Sequence, residues 1–307
     1  MDVVQELIRA GFFRVIAVPG NACGTVERTV LLALWRYEAE GAPGTSEGWI
    51  HPYYPASQRA YRAAQHCVRC AEAEGVPLRL RNDIRVKPIF ARLPGFTQGR
   101  NTLSYAEGAG SRFHVQIMTL DMPMDETIPL REEPHGLHCG DCRQCMTACP
   151  TGAIDENGYH REKCLRNWML TGKPVPPELR TAMGNRLLGC DECQRCCPHN
   201  PPPSGETQPL VLLAELLARP KEASAALQEL IGVNLALPNR VLAQACLLAG
   251  CEGREDLMDT LQSLAAHPSE TVREHAAWAR EQIKKRRTQP FFAEETGISC
   301  SSGQNTL

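Results

Sequence analysis

Long hydrophobic runs are missing from this 307-residue chain, and neither sign of charge dominates it: 33 Lys+Arg stand against 35 Asp+Glu, a formal net charge of −2. Nothing approaches the roughly 20 uninterrupted apolar residues that a membrane-crossing helix needs. The lack of a basic excess excludes a wholesale polycation for nucleic acid, though not a local basic face. A signal-peptide layout is also missing, because Asp2, Glu6 and Arg9 precede only a short apolar stretch, Phe12 to Val18. Hydrophobic residues at 43% and charged residues at 22% exclude global disorder. The expectation is a cytoplasmic protein with no membrane partner.

What the chain has in excess is cysteine, 15 residues. A secreted miniprotein would use them as disulfides. A chain long enough to build its own core, and without an export signal, points instead to metal or redox chemistry.

The pattern along the chain predicts an α+β protein in four parts. Residues 1–130 read as a mixed α/β domain: a short helix over Val3–Ala10, strands at Phe12–Val18 and Thr29–Trp35, a loop at Gly41–Ser46 and a helix over Ser57–Glu74. Thr102–Tyr105 and Phe113–Met118 read as further strands of the same sheet. Residues 131–205 hold most of the cysteines with many Gly and Pro, as loops wrapped around something inorganic rather than a packed apolar core. Pro201-Pro202-Pro203-Ser204-Gly205 marks a boundary. Residues 206–290 are helical in pattern, with helices from Asn239 to Leu248, Leu257 to Ala266 and Ser269 to Ile283 that resemble HEAT-like repeats. Residues 291–307 read as a flexible tail.

Cys139-x2-Cys142-x2-Cys145-x3-Cys149-Pro150 is the bacterial ferredoxin run, in which the fourth cysteine ligates a different cluster from the first three. A second 4Fe-4S cluster is therefore required, and Cys190-x2-Cys193-x3-Cys197-Pro198 with the isolated Cys164 supplies it. The expected partition is Cys139, Cys142, Cys145 and Cys197 on one cluster, and Cys149, Cys164, Cys190 and Cys193 on the other. Cys196 is an alternative to Cys197, although Pro198 after Cys197 mirrors Pro150. Two structural zinc sites are the competing reading, but zinc does not need the uninterrupted four-cysteine run. Two clusters imply an electron donor, such as a ferredoxin or flavodoxin, and an acceptor.

Other residues carry less. Cys67-x2-Cys70 falls inside a predicted helix, and Cys246 and Cys251 read as helix-core thiols. His135, His138 and His199 flank the cysteine runs and read as solvent-facing loop residues or as groups that tune a cluster through hydrogen bonds. Arg79, Arg81, Arg85, Lys87, Arg92 and Arg100, opposed only by Asp83, and Lys284-Lys285-Arg286-Arg287 are either solvated faces or a phosphate-binding stripe. Gly95 and Gly99 make a glycine-rich turn that implies close backbone approach to a flat ligand or another segment.

The order Gly95-Phe96-Thr97-Gln98-Gly99-Arg100-Asn101-Thr102-Leu103, Gly110-Ser111, Asp121, the first cysteine run, Gly184-Asn185-Arg186-Leu187-Leu188-Gly189-Cys190-Asp191-Glu192-Cys193-Gln194 and Val272-Arg273-Glu274-His275-Ala276-Ala277-Trp278 resembles the epoxyqueuosine reductases. The resemblance implies a cobalamin-dependent reductase that removes an epoxide oxygen in the last step of queuosine synthesis on tRNA. It further implies cobalamin in the N-terminal domain, contacted by Gly95, Gly99, Arg100, Asn101 and Asp121. The two clusters would feed electrons to the cobalt, Asp83 would protonate the opened epoxide, and the helical region with basic residues would grip tRNA. The alternative is a ferredoxin-like electron-transfer or reductive-activation protein that serves a separate corrinoid or metalloprotein.

Overall fold

The computed structural model describes residues 1–38, 47–134, 139–202 and 211–288. The expected loop at Gly41–Ser46, His135, His138, most of the 201–205 boundary and the tail fall outside them.

The N-terminal part is a sheet covered on both faces. Helix α1 (Val3–Arg9) is capped by the Asp2 carboxylate, which accepts from the Gln5 amide. Strands β1 (Arg14–Pro19) and β2 (Thr29–Arg36) follow, then β3 (Glu47–Ile50), helix α2 (Tyr53–Ala73), β4 (Leu78–Arg81), α3 (Val86–Arg92), β5 (Phe96–Gln98), β6 (Ser104–Ala106) and β7 (Phe113–Leu120). The main sheet runs β1-β2-β7-β4, antiparallel throughout. Alternate β2 residues serve two cores. Leu31 and Ala33 pack with α1 and α2, while Val30, Leu32 and Leu34 pack with α3 and the β5–β6 hairpin. Burial on both faces explains why β2 reads as a nearly continuous apolar run rather than an alternating one. Helix α2 approaches the sheet through Ala60, Ala64, Cys67 and Ala71, so Cys67 is a core residue.

Two expectations are corrected here. Ser104–Ala106 does not join the main sheet but pairs with β5 in a separate hairpin, because Tyr105 and Asn101 are drawn toward the cysteine loops instead. Nor do residues 131–205 lack an apolar core. After α4 (Gln144–Thr147), β8 (Ile154–Asp155) and β9 (Gly158–Tyr159) come α5 (Leu165–Thr171), α6 (Pro177–Arg180), β10 (Arg186–Leu188) and α7 (Glu192–Arg195). Leu165, Met169, Val175, Leu179, Met183, Leu187 and Leu188 are buried in one core with the C-terminal helices.

Those helices are α8 (Leu213–Ala218), α9 (Pro220–Ile231), α10 (Pro238–Glu252), α11 (Met258–Ser263) and α12 (Glu270–Thr288), with β11 (Val211–Leu212) before them. Strand β3 ties the parts together by pairing in parallel with β10 and antiparallel with β11. Helix α10 is buried along nearly its whole length, and α12 packs on it. Among the described residues, no helix is long and apolar enough to cross a membrane.

Candidate cluster centre and its surroundings

The short helices α4 and α7 each rise from a cysteine run and pack against one another. Their loops turn tightly: Cys142 N donates to Cys139 O at 3.0 Å, and Cys197 N donates to Gln194 O at 3.3 Å. The consequence is a sorting of thiols between two cavities. Cys139, Cys142, Cys145 and Cys197 line a small one, together with Arg100, Asn101 and Tyr105. Cys149, Cys164, Cys190 and Cys193 line another of about 310 Å³, which Tyr37, His51, Tyr53, Lys87 and Arg166 also reach. Cys196 lines neither cavity. All the described cysteines are free.

The chemistry of this donor set fits iron–sulfur clusters. Burial, followed by the neighbouring Cys190 and Cys164, pushes the Cys193 thiol well up. Burial likewise pushes Cys190 up to about 11 and Cys196 up to about 12. Burial and neighbouring sulfurs both disfavour the thiolates here, and positive iron, when bound, would offset both effects. Donors are already aimed at them. Arg100 N donates to Cys139 Sγ at 3.2 Å, Ala153 N donates to Cys149 Sγ at 3.2 Å, and the Tyr105 hydroxyl donates to Cys197 Sγ at 3.2 Å.

The glycine turn between β5 and β6 belongs to this centre. Gly95 and Gly99 wall a third cavity of about 760 Å³ with Gly108, Gly110, Arg131, Cys139 and His199. A Cβ at Gly95 would meet nothing within 4 Å, so the wall is open there. A Cβ at Gly99 would stand 2.6 Å from the Tyr105 ring, so only glycine lets that ring close in. Thr102, the single non-glycine residue with positive φ (62°) among the described residues, completes the turn and presents Asn101 inward. Asn101 Nδ2 donates to Cys193 O at 3.0 Å and to the Tyr105 hydroxyl at 2.9 Å, while its Oδ1 accepts from Leu103 N at 3.2 Å.

A buried polar knot fastens α7 to the N-terminal sheet. Gln194 Nε2 donates to the Tyr37 hydroxyl at 3.0 Å and to Ser111 O at 3.1 Å. His51 Nδ1 accepts from Tyr53 N at 3.0 Å, so its proton sits on Nε2 and is donated to Gln194 Oε1 at 3.0 Å. Burial lowers the His51 imidazole to about 3, which keeps it neutral. Tyr37 and His51 belong to no motif of the sequence, whereas Gln194 closes the segment that runs from Gly184 through Cys193.

The remaining expected site residues lie elsewhere. Asp83 lines a separate cavity of about 340 Å³ with Thr25, Arg81, Arg85 and Arg92, and no cluster cysteine lines it. Arg81 grips the Asp83 carboxylate with two bonds, at 2.8 and 2.7 Å, and holds it down at about 2, hence ionised near neutrality. Asp121, just after β7, is exposed and lines none of these four cavities. The basic residues are partly engaged within the chain. Arg92 donates to Arg131 O at 2.6 Å, Lys285 pairs with Glu281 at 2.8 Å, and Arg287 stands 4.0 Å from Glu255.

Comparison with known proteins agrees with this geometry. Residues 138–200 match the family described as a 4Fe-4S double cluster binding domain. A curated epoxyqueuosine reductase of Pseudomonas aeruginosa is 32% identical over 193 residues, which are 59% of this chain and 52% of that protein. The chain thus spans about half the length of this curated relative. The epoxyqueuosine reductase of Streptococcus thermophilus superposes with a TM-score of 0.72 at 16% identity, over 93% of this chain and 90% of that one. An epoxyqueuosine reductase in complex with an epoxyqueuosine-modified tRNA-Tyr stem loop superposes at 0.70 with 17% identity, over 92% and 89% of the two chains. This protein carries a double 4Fe-4S cluster domain, is similar in sequence to curated epoxyqueuosine reductases and shares the fold of their solved structures.

Proposed function

We propose that this protein is a cytoplasmic iron–sulfur reductase of the epoxyqueuosine reductase type, which passes electrons through two 4Fe-4S clusters to cobalamin and reduces epoxyqueuosine in tRNA to queuosine. The observation that carries the reading is the sorting of eight cysteines into two cavities, four to each, on packed loops. In this reading Cys139, Cys142, Cys145 and Cys197 hold one cluster and Cys149, Cys164, Cys190 and Cys193 hold the other. A ferredoxin or flavodoxin supplies the electrons.

Cobalamin, when bound, supplies a metal centre that accepts electrons from the clusters. The turn Gly95–Asn101 is the element suited to hold it, because Gly95 and Gly99 wall the largest of the four cavities described above and Asn101 lines the one that holds the second cysteine set. The Arg100 amide on Cys139 joins this turn to the first cysteine set, and the buried knot of Tyr37, His51 and Gln194 keeps the second set rigid. Helices α10–α12 stand in for HEAT-type repeats, and the basic residues of β4, α3 and the end of α12 provide phosphate contacts. In this reading Asp83 is the proton donor; because it is ionised while Arg81 holds it, it must leave Arg81 and take up a proton from solvent before it can give one to the substrate.

Anaerobically reconstituted protein should retain cobalamin through gel filtration and convert epoxyqueuosine in tRNA. Asp83→Ala should abolish turnover with both clusters still reducible, and unchanged turnover removes Asp83 from the reaction. Binding of tRNA should weaken steeply with salt, because counterions released from phosphates drive it. One observation favours a second reading, an electron-transfer protein for a separate corrinoid or metalloprotein: the Asp83 carboxylate is committed to Arg81 and lines neither cysteine cavity. Protein loaded with both clusters that binds no corrinoid would establish that reading.

A further inference from the structure

Each cysteine cavity is lined by a tyrosine carried on a short hairpin. The Tyr105 hydroxyl lies 3.2 Å from Cys197 Sγ, and Tyr159 lines the second cavity together with Cys164. For Tyr105, proton accounting fixes the direction of the bond. Leu103 N donates to Asn101 Oδ1, and Cys193 O accepts from Asn101 Nδ2, so the Asn101 amide has one orientation. Its Nδ2 therefore also donates to the Tyr105 oxygen, and the phenol proton is left for Cys197 Sγ. Gly99 lets the ring reach this position, and β6 holds it. Tyr159 is carried to the second cavity by the short β8–β9 hairpin.

We propose that Tyr105 and Tyr159 set the reduction potentials of the two clusters separately, each by donating one hydrogen bond to a ligand sulfur of its own cluster. A donor at sulfur withdraws charge from the thiolate and favours the more negative, reduced cluster, so it raises the potential. The effect is larger where water is excluded. Tyr105 is 9% exposed and Tyr159 40% exposed, so Tyr105 exerts the stronger pull. Each set also has one backbone donor, the Arg100 amide on Cys139 and the Ala153 amide on Cys149, so the tyrosines make the difference and the first cluster is the better electron acceptor of the two. The proposal rests on the ligand partition given above.

The test is a redox titration of anaerobic, fully iron-loaded protein, followed by electron paramagnetic resonance. Tyr105→Phe keeps the ring and should lower the potential of one cluster only; Tyr159→Phe should lower that of the other, by less. Site-specific 3-fluorotyrosine at position 105, a stronger donor of nearly the same shape, should raise the potential that Tyr105→Phe lowers. The proposal is overturned if the fluorinated protein and Tyr105→Phe leave both potentials where the wild type has them. It is overturned together with the partition if both tyrosine variants move the same cluster. A wild type without two reducible clusters would instead sink the cluster reading beneath it.

Discussion

Replacing Gln194 with leucine should loosen the joint between the cluster loops and the N-terminal sheet while leaving every cysteine in place. Gln194 is 7% exposed, and its amide serves Tyr37, His51 and Ser111 at once. Leucine fills a similar volume but leaves the His51 Nε2–H and the Ser111 carbonyl buried without a partner, and each such loss costs about 1–3 kcal/mol. The expected destabilisation is therefore about 2–6 kcal/mol, at the upper end of what single substitutions do. Tyr37→Phe removes only one shared hydroxyl and should cost about 0.5–1.5 kcal/mol. Because both act on one network, the double variant should fall short of the sum by about 1 kcal/mol. Urea unfolding of iron-loaded protein under anaerobic conditions, followed by tryptophan fluorescence, measures all three. A Gln194→Leu protein within about 0.5 kcal/mol of wild type would refute the claim that this knot holds the two parts together.

Three further outcomes follow from the geometry. His275 Nε2 accepts from Val175 N at 3.0 Å, and burial lowers its imidazole to about 4. The unfolded chain takes up that proton first, near the ordinary 6.5. Its contribution to stability is thus full above pH 6.5 and is lost as pH falls toward 4, and His275→Gln should flatten the acid side of the Tm-versus-pH curve. An unchanged curve contradicts the assignment. Gly189 has φ +95°, and an added Cβ would stand 2.5 Å from His51 Cβ, so Gly189→Ala should cost at least about 1–3 kcal/mol and displace Cys190; full stability with full iron would contradict this. Cys164→Ala should lower iron content, whereas Cys70→Ala, on the half-exposed side of α2, should keep all of it.

The sequence was most legible where chemistry constrains spacing. The two cysteine runs and the lone Cys164 are legible because a loop that wraps a cluster fixes its own length, and these eight cysteines line two cavities, four to each. Helix α2 and strands β1 and β2 were legible because their apolar residues follow the periods of helix and strand. Strand β3 was not, since Glu47–Ile50 is short and owes its structure to partners more than a hundred residues away, β10 and β11. The same holds for the apolar residues between Leu165 and Leu188, which bury themselves only against the C-terminal helices. Asn101 was expected as a cofactor contact, and its bonds to Tyr105 and Cys193 depend on the Thr102 turn, which no periodicity announces. Asp83 shows the limit of position in sequence, because its partner Arg81, two residues away, determines its charge.

The central claim is that the cysteines of both runs fold together around two iron–sulfur cubes. Metal analysis of protein purified without oxygen tests it most directly. The account predicts about eight iron atoms and matching sulfide per chain, whereas about four irons, or zinc in their place, would contradict it.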